Sequence, residues 1–268
     1  MSVQSVDRAL EILSLFSTTS PRLGITDISK AMGLPKPTVH GLVRTLTSHG
    51  FLAQDPESKK YSLGLKIHEM GTILAGSLRI NQVGGSPAQM LTRSTGLATR
   101  LGIWDQQAVL VTLLLFPDTV NVLYHHIGPR IQAYCSSLGK AILAYLPRQE
   151  VEDYLGKHPL TPITMTTITN RKDLLKDLES TRARGYALDR EECISGMSCI
   201  GAPIFNYAGA PVGSISISGP PDQVLGDRTA ALARELLLTA QQISSFMGWR
   251  PGEAAKAALV TAPRSRVK

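Results

Sequence analysis

"GITDISKAMGLPKPTVHGLVRTLTSHG", residues 24–50, carries two apolar stripes at helical spacing on either side of one glycine. In the first half Thr26 can cap, Asp27 falls in the positive first turn, Ile28, Ala31 and Met32 form the stripe, and Gly33 stands at the usual helix-ending position. In the second half Val39, Leu42, Val43 and Leu46 follow the i, i+3, i+4, i+7 pattern. That leaves Gly41, Arg44 and Ser48 on the opposite face, flanked by His40 and Thr45. A short helix, a tight glycine turn and a second helix with an unobstructed N-terminus are the parts of a helix-turn-helix, whose second helix enters the major groove of DNA. Lys36, Thr38, His40 and Arg44 have suitable chemistry, since lysine and arginine donate to guanine or phosphate and threonine bonds to either. Spacing alone fits any three-helix packing with a polar outer face, so the flanks carry the decision.

Upstream, Val6, Leu10, Leu13 and Phe16 make one stripe of an amphipathic helix that ends near "STTSP". Downstream, "GFLAQDPESKKYSLG" is two short apolar segments around a turn-forming cluster, Asp55-Pro56-Glu57-Ser58, with Lys59 and Lys60 on the return. Such a basic-tipped hairpin directly after the second helix forms a wing that can meet phosphates or the neighbouring minor groove. In "LKIHEMGTILAGSLR", residues 65–79, Leu65, Ile67, Met70, Ile73, Leu74 and Leu78 form a broad apolar stripe. It reads either as a domain-linking, dimer-forming helix or as a cap on the winged head.

With 268 residues, 43% hydrophobic and 18% charged, the chain is long enough for two globular domains. No run approaches the 18 or so apolar residues of a membrane span. The charged positions Asp7, Arg8 and Glu11 make the start an amphipathic helix and not a signal peptide, so a cytoplasmic location is expected. Three cysteines, Cys135, Cys193 and Cys199, suit reduced thiols better than a disulfide framework. Of the net charge of +7, residues 1–80 carry +3, residues 81–250 +1 and the last eighteen +3. The basic head is compatible with a polyanion partner and equally with a solvated face. Residues 251–268 have little apolar periodicity and read as a flexible tail.

Beyond the head, "GLATRLGIWD" and "AVLVTLLLF" are apolar runs separated by Gln106-Gln107. They are followed by "VNVLYHHIG", a helix-like "SLGKAILAYL", and a helix from Asn170 to Gly185. The strand-like "YALD", "CIGAPIFN" and "VGSISISG" come next, and a helix within "DRTAALARELLLTAQQISSFMGW" closes the region. Mixed strands and helices with short turns between successive strands argue for an α+β sheet with at least one covered face. "VGSISISGP", residues 212–220, places Ser214, Ser216 and Ser218 on one face and Ile215 and Ile217 on the other. The serines face either solvent, as in most half-buried strands, or a lined pocket.

Six segments together resemble the IclR (isocitrate lyase regulator) type of bacterial transcription factors: "SVDRALEILSLF", "GLPKPTVHGLVRTLTSHGFL", "YSLGLKIHEMG", "SSLGKAILAYLP", "RARGYALDREECISGMSCIGAPIF" and "VGSISISGP". The resemblance implies a sequence-specific DNA-binding regulator whose operator binding is modulated by a small organic acid or aromatic metabolite. It implies a winged helix-turn-helix over 1–65, a linker helix over 66–82 and a GAF-like antiparallel-sheet effector domain over 83–250, assembled as homodimers or dimers of dimers on a near-palindromic operator. DNA contacts are then expected from Lys36, Pro37, Thr38, His40, Gly41, Arg44, Lys59 and Lys60. Pro37 and Gly41 depart from the family's pattern, a small hydroxyl residue and a long basic one, so the operator sequence does not carry over. Pro37 is tolerated in a first helical turn, whereas Gly41 inside a helix costs roughly 1 kcal/mol relative to alanine. The positions matching the family's effector pocket are Asp189, Cys199, Ser216 and Ser218, with main-chain contacts near Ser137 and Leu138. Cys199 is as readily a small buried hydrophobe. Arg130 either pairs with a ligand carboxylate at the pocket mouth or is a surface charge.

The rival reading is a serine hydrolase-like or metal-dependent enzyme domain fused to the head. Serines with Asp189, His125 and His126 invite it, but there is no G-x-S-x-G elbow, and a mid-strand serine lacks the exposed turn of a nucleophile. His125, His126, Cys193 and Cys199 have metal-ligand atoms without metal-ligand spacing. The expectation is therefore a non-enzyme with no cofactor, no metal and no membrane partner.

Overall fold

The computed structural model describes residues 2–117 and 130–250, and the chain divides into two units at Ser77/Leu78. In the first unit α1 (Gln4–Ser14), α2 (Ile25–Met32) and α3 (Lys36–Ser48) close on Ile12, Ile28, Val39, Val43 and Leu46. Gly33 turns the chain between α2 and α3 with φ +63°, a left-handed conformation that glycine adopts without a Cβ penalty. Two local expectations are corrected. Gly24, not Thr26, is the N-cap of α2, because the Asp27 carboxylate reaches back to accept the Gly24 N–H at 2.9 Å and Thr26 lies inside the helix. On α1, Val6 and Leu10 are exposed, and Ile12 is the side chain that fills the core.

The wing pairs β1 (Leu52–Gln54) with β2 (Tyr61–Leu63), and Leu23 bridges Tyr61 as a third short edge. At its tip the Asp55 carboxylate accepts the Glu57 and Ser58 N–H groups and the Ser58 hydroxyl. These bonds hold its carboxyl below the usual range, the Ser58 N–H most of all. α4 (Leu65–Ser77) follows and buries none of its residues within the unit.

The second unit opens with α5 (Arg79–Thr95), so the stretch read as one linker helix over 66–82 takes in most of α4 and the first turn of α5, interrupted at Leu78. Then come β3 (Ala98–Asp105), β4 (Ala108–Leu115), β5 (Arg130–Ile131), α6 (Ser137–Leu143), α7 (Arg148–Lys157) and α8 (Arg171–Arg184). β6 (Ala187–Arg190), β7 (Ser198–Phe205), β8 (Pro211–Gly219), α9 (Pro221–Val224) and α10 (Thr229–Phe246) complete the unit. The sheet runs β5-β4-β3-β8-β7-β6, antiparallel throughout.

Both faces of the sheet are covered. α5 and α10 seal one with Leu91, Leu236 and Ile243 against Leu101, Ile200, Ile215 and Ile217. α6 lies on the other, joined by α7 and α8 around Tyr134, Leu138, Ile142, Tyr154 and Leu174. Gly201 lets α6 approach: a Cβ there would stand 2.4 Å from the Ser137 carbonyl oxygen. The segment "VNVLYHHIG" with His125 and His126, and the tail 251–268, lie outside the described residues.

Candidate functional site

α3 turns Val39, Val43 and Leu46 into the head's core, and this orients its remaining face outward. Lys36, Pro37, Thr38, His40, Gly41 and Arg44 are all exposed, as are Lys59 and Lys60 on the wing. A Cβ at Gly41 would meet nothing within 4 Å, so packing does not require glycine there. Among the described residues, Lys36, Arg44, Lys59 and Lys60 enter no ion pair, so four cations face solvent without carboxylates to neutralise them. Such a surface can bind polyanions.

In the second unit the strand register settles where the serines look. Arg100 stands opposite Ser216, which stands opposite Gly201. In the next row of the same face Ser218 is opposite Cys199, and Cys199 opposite Asp189. Ser214, Ser216 and Ser218 are all buried, because α6 covers their face while Ile215 and Ile217 belong to the core under α5 and α10. The solvent-facing reading of this strand is therefore wrong.

The polar row lines a cavity of about 30 Å³ with Ser136, Ser137, Leu138, Asp189, Cys193, Cys199, Ser216 and Arg100 on its wall. Five of the six residues expected at an effector pocket thus meet at one cavity. Ser218, the sixth, lines a neighbouring cavity of about 240 Å³ that shares Arg100, Ile194 and Met197 with the first. Ser216 makes no side-chain hydrogen bond among the described residues, and the hydroxyls of Ser198 and Ser214 are buried without a partner. Burial raises the Asp189 carboxyl to about 7, against the Glu192 N–H that it accepts at 2.7 Å and the field of Lys140. Burial likewise pushes the Cys199 thiol well up, so it is a neutral, weakly polar wall.

Two features escaped the sequence reading. Arg100 is 4% exposed, and its Nη1 donates to the Ser218 hydroxyl. Its signal was a lone cation inside the apolar run "GLATRLGIWD". The other is a buried ion cluster joined to Asp189 through the Glu192 N–H: Lys140 Nζ lies 2.7 Å from Glu192 Oε1 and 3.0 Å from Asp177 Oδ2, and Arg184 Nη2 lies 3.7 Å from Asp177 Oδ1. Arg130 is half-exposed and paired with Asp105, away from the cavity lining. Among the described residues no three His, Cys, Asp or Glu side chains group as metal ligands, and no helix is long and apolar enough to cross a membrane.

The family model for the bacterial transcriptional regulator IclR C-terminal domain matches residues 74–245, and that for the IclR helix-turn-helix domain matches residues 5–56. The HTH-type transcriptional regulator XynR of Escherichia coli is 35% identical over 247 residues, covering 92% of this chain and 98% of that protein. The crystal structure of the Thermotoga maritima IclR covers 92% of this chain and 99% of its own, at 27% identity and a TM-score of 0.73. An IclR homologue from Microbacterium hydrocarbonoxydans, solved in complex with 4-hydroxybenzoate, has the same fold: 22% identity, a TM-score of 0.77, and 91% and 98% of the two chains covered.

Proposed function

The chain belongs to the IclR family of bacterial transcriptional regulators, and from that premise we propose how its two units divide the work. It is a DNA-binding regulator and not an enzyme; the hydrolase and metalloenzyme alternative finds no support among its relatives. Its operator binding responds to an effector held by the C-terminal domain.

The finer reading begins with the head. Lys36, Thr38, His40 and Arg44 on α3 meet base edges and phosphates of duplex DNA, with Pro37 and Gly41 giving close backbone approach. Lys59 and Lys60 on the wing meet the flanking backbone. Two chains pair through the exposed apolar face of α4, where Leu65, Met70, Ile73 and Leu74 lie open to solvent within the unit. A two-fold dimer then reads a near-palindromic operator. The cytoplasm, where bacterial operators lie, is the matching location.

The observation that carries the effector site is the cluster of polar side chains buried between sheet and α6 around one cavity, where the Ser216 hydroxyl makes no side-chain hydrogen bond among the described residues. A buried hydroxyl without a partner costs roughly 1–3 kcal/mol, so a fold that keeps Ser216 on the cavity wall gains when a polar ligand satisfies it. Asp189, Cys199, Ser216 and Ser218 with the wall at Ser137 and Leu138 suit a small polar acid. Coupling requires that the effector bind two arrangements of the dimer with different affinity.

The test is operator binding by fluorescence anisotropy with and without an effector found by thermal-shift screening. Ser216→Val and Ser218→Val should lose the effector response while keeping effector-free operator affinity. Wild-type response in both variants refutes the site.

A further inference from the structure

We propose that Arg100 is the anion anchor of this cavity, so that the ligand it selects is a carboxylate paired to the guanidinium. The inference rests on the reading of the cavity as the effector site and adds the charge of the ligand to it.

The argument starts from the handling of buried charge in the same domain. Lys140 is fully buried, and two carboxylates neutralise it at 2.7 and 3.0 Å. Arg100 is almost as deeply buried, yet among the described residues it enters no ion pair and has one side-chain hydrogen bond, to Ser218. A guanidinium has five N–H donors, which leaves most of them without an acceptor among the described residues. Burial is the dominant influence on Arg100, and Asp189 on the same wall acts on it only through its field, beyond ion-pair distance; a buried cation so incompletely balanced is unfavourable, because the solvation it loses is not replaced. A chain that balances one buried cation and leaves another open holds the second for an anion from outside.

Position agrees with charge. Arg100, Ile194 and Met197 form the wall common to the inner cavity of about 30 Å³ and the outer one of about 240 Å³. The inner space suits no more than a water or two, so the body of a ligand belongs in the outer one, with its acid group at the arginine between them. The planar fork of the guanidinium matches both oxygens of a carboxylate. Asp189 and Ser216, on the inner wall, then meet the same end of the ligand; the protonated Asp189 carboxyl and the Ser216 hydroxyl each donate to a carboxylate oxygen.

The full-length chain is tested by calorimetry and thermal shift with matched acid and amide probes: benzoate and benzamide, 4-hydroxybenzoate and 4-hydroxybenzamide, glycolate and glycolamide. At least one acid should bind wild type and its amide should not. Arg100→Met should weaken that acid by at least ~30-fold, while Arg100→Lys, which keeps the charge and loses the fork, retains part of the affinity. Without any acid present, Arg100→Met should melt no lower than wild type, since it removes a buried charge that no ion pair among the described residues balances. Amides that bind as tightly as acids, or wild-type acid affinity in Arg100→Met, overturn the anchor and leave the effector cavity standing. A ligand-free Arg100→Met that melts far below wild type overturns it too, since the arginine is then a structural strut. If neither acids nor amides bind wild type, the effector cavity falls and the anchor with it.

Discussion

Replacing Lys140 by methionine removes the fully buried cation of an ion cluster without removing its anions, of which only Asp177 keeps a second cation among the described residues, Arg184 at 3.7 Å. Lys140 and Glu192 are nearly inaccessible, and Asp177 is only slightly more open, so solvent screening offers little relief. The variant strands the Glu192 carboxylate, whose Oε1 lies 2.7 Å from the lost ammonium, while Asp177 keeps Arg184. Removing one partner of a buried pair costs about 3–5 kcal/mol. For a domain of this size each kcal/mol moves the melting temperature by about 2–4 °C, so Lys140→Met should melt about 6–20 °C lower. The deficit should also depend on pH. Burial already raises the Glu192 carboxyl and Lys140 works against that rise, so without the lysine its folded pKa lies further above the unfolded one, protonation relieves it and the deficit shrinks as pH falls. The assay is calorimetric melting of wild type and variant at pH 5 and pH 8, with Lys140→Met/Glu192→Gln as control. A shift under about 2 °C at pH 8, or no recovery in the double variant, refutes the view of this cluster as an ionic strut.

Asp189, with a carboxyl near 7 when folded and an ordinary value of about 4 when unfolded, binds more protons in the folded state between those limits. Its contribution is therefore full below about pH 4, declines as pH rises towards 7 and stays low above, and Asp189→Asn should abolish this dependence; equal wild-type-minus-variant stability at pH 5 and pH 8 by urea titration speaks against it. Arg44→Ala should weaken specific operator binding by about 1–3 kcal/mol, whereas Lys59→Ala should weaken all sequences alike and flatten the salt dependence. Unchanged anisotropy titrations for both would show that the DNA surface lies elsewhere. Ile73→Glu, at a site 74% exposed within the unit, should shift sedimentation towards monomer at micromolar concentration. A variant that remains dimeric excludes α4 as the interface.

The head was almost fully legible because its information is local. Capping, glycine turns and i, i+3, i+4 stripes act within one or two turns of chain, and they located α2, α3 and the wing to within a few residues. The errors there were local too: Asp27 reaching back to the Gly24 N–H set the cap at Gly24 and not at Thr26, and Val6 and Leu10 stayed exposed within the unit. In the second unit α5 went unread, since Gly84, Gly85 and Pro87 punctuate the sequence like a loop. Tertiary packing overrides that: α5 lies so close to the sheet that a Cβ on Gly84 would stand 2.9 Å from the Leu101 side chain.

The alternation in "VGSISISGP" determines that three serines share a face, because side chains in a strand point alternately to its two sides. Which face is covered it leaves open. That was decided by α6 packing on the serine side of the sheet and α5 and α10 on the isoleucine side. Arg100 makes the same point at longer range. As a lone cation in an apolar run it could be a strand end, a surface charge or a ligand anchor, and the register that sets it opposite Ser216 joins segments more than a hundred residues apart. Periodicity is a property of neighbours along the chain, whereas burial and charge balance are properties of neighbours in space, so only the folded sheet could bring this arginine, the serines and Asp189 to one face.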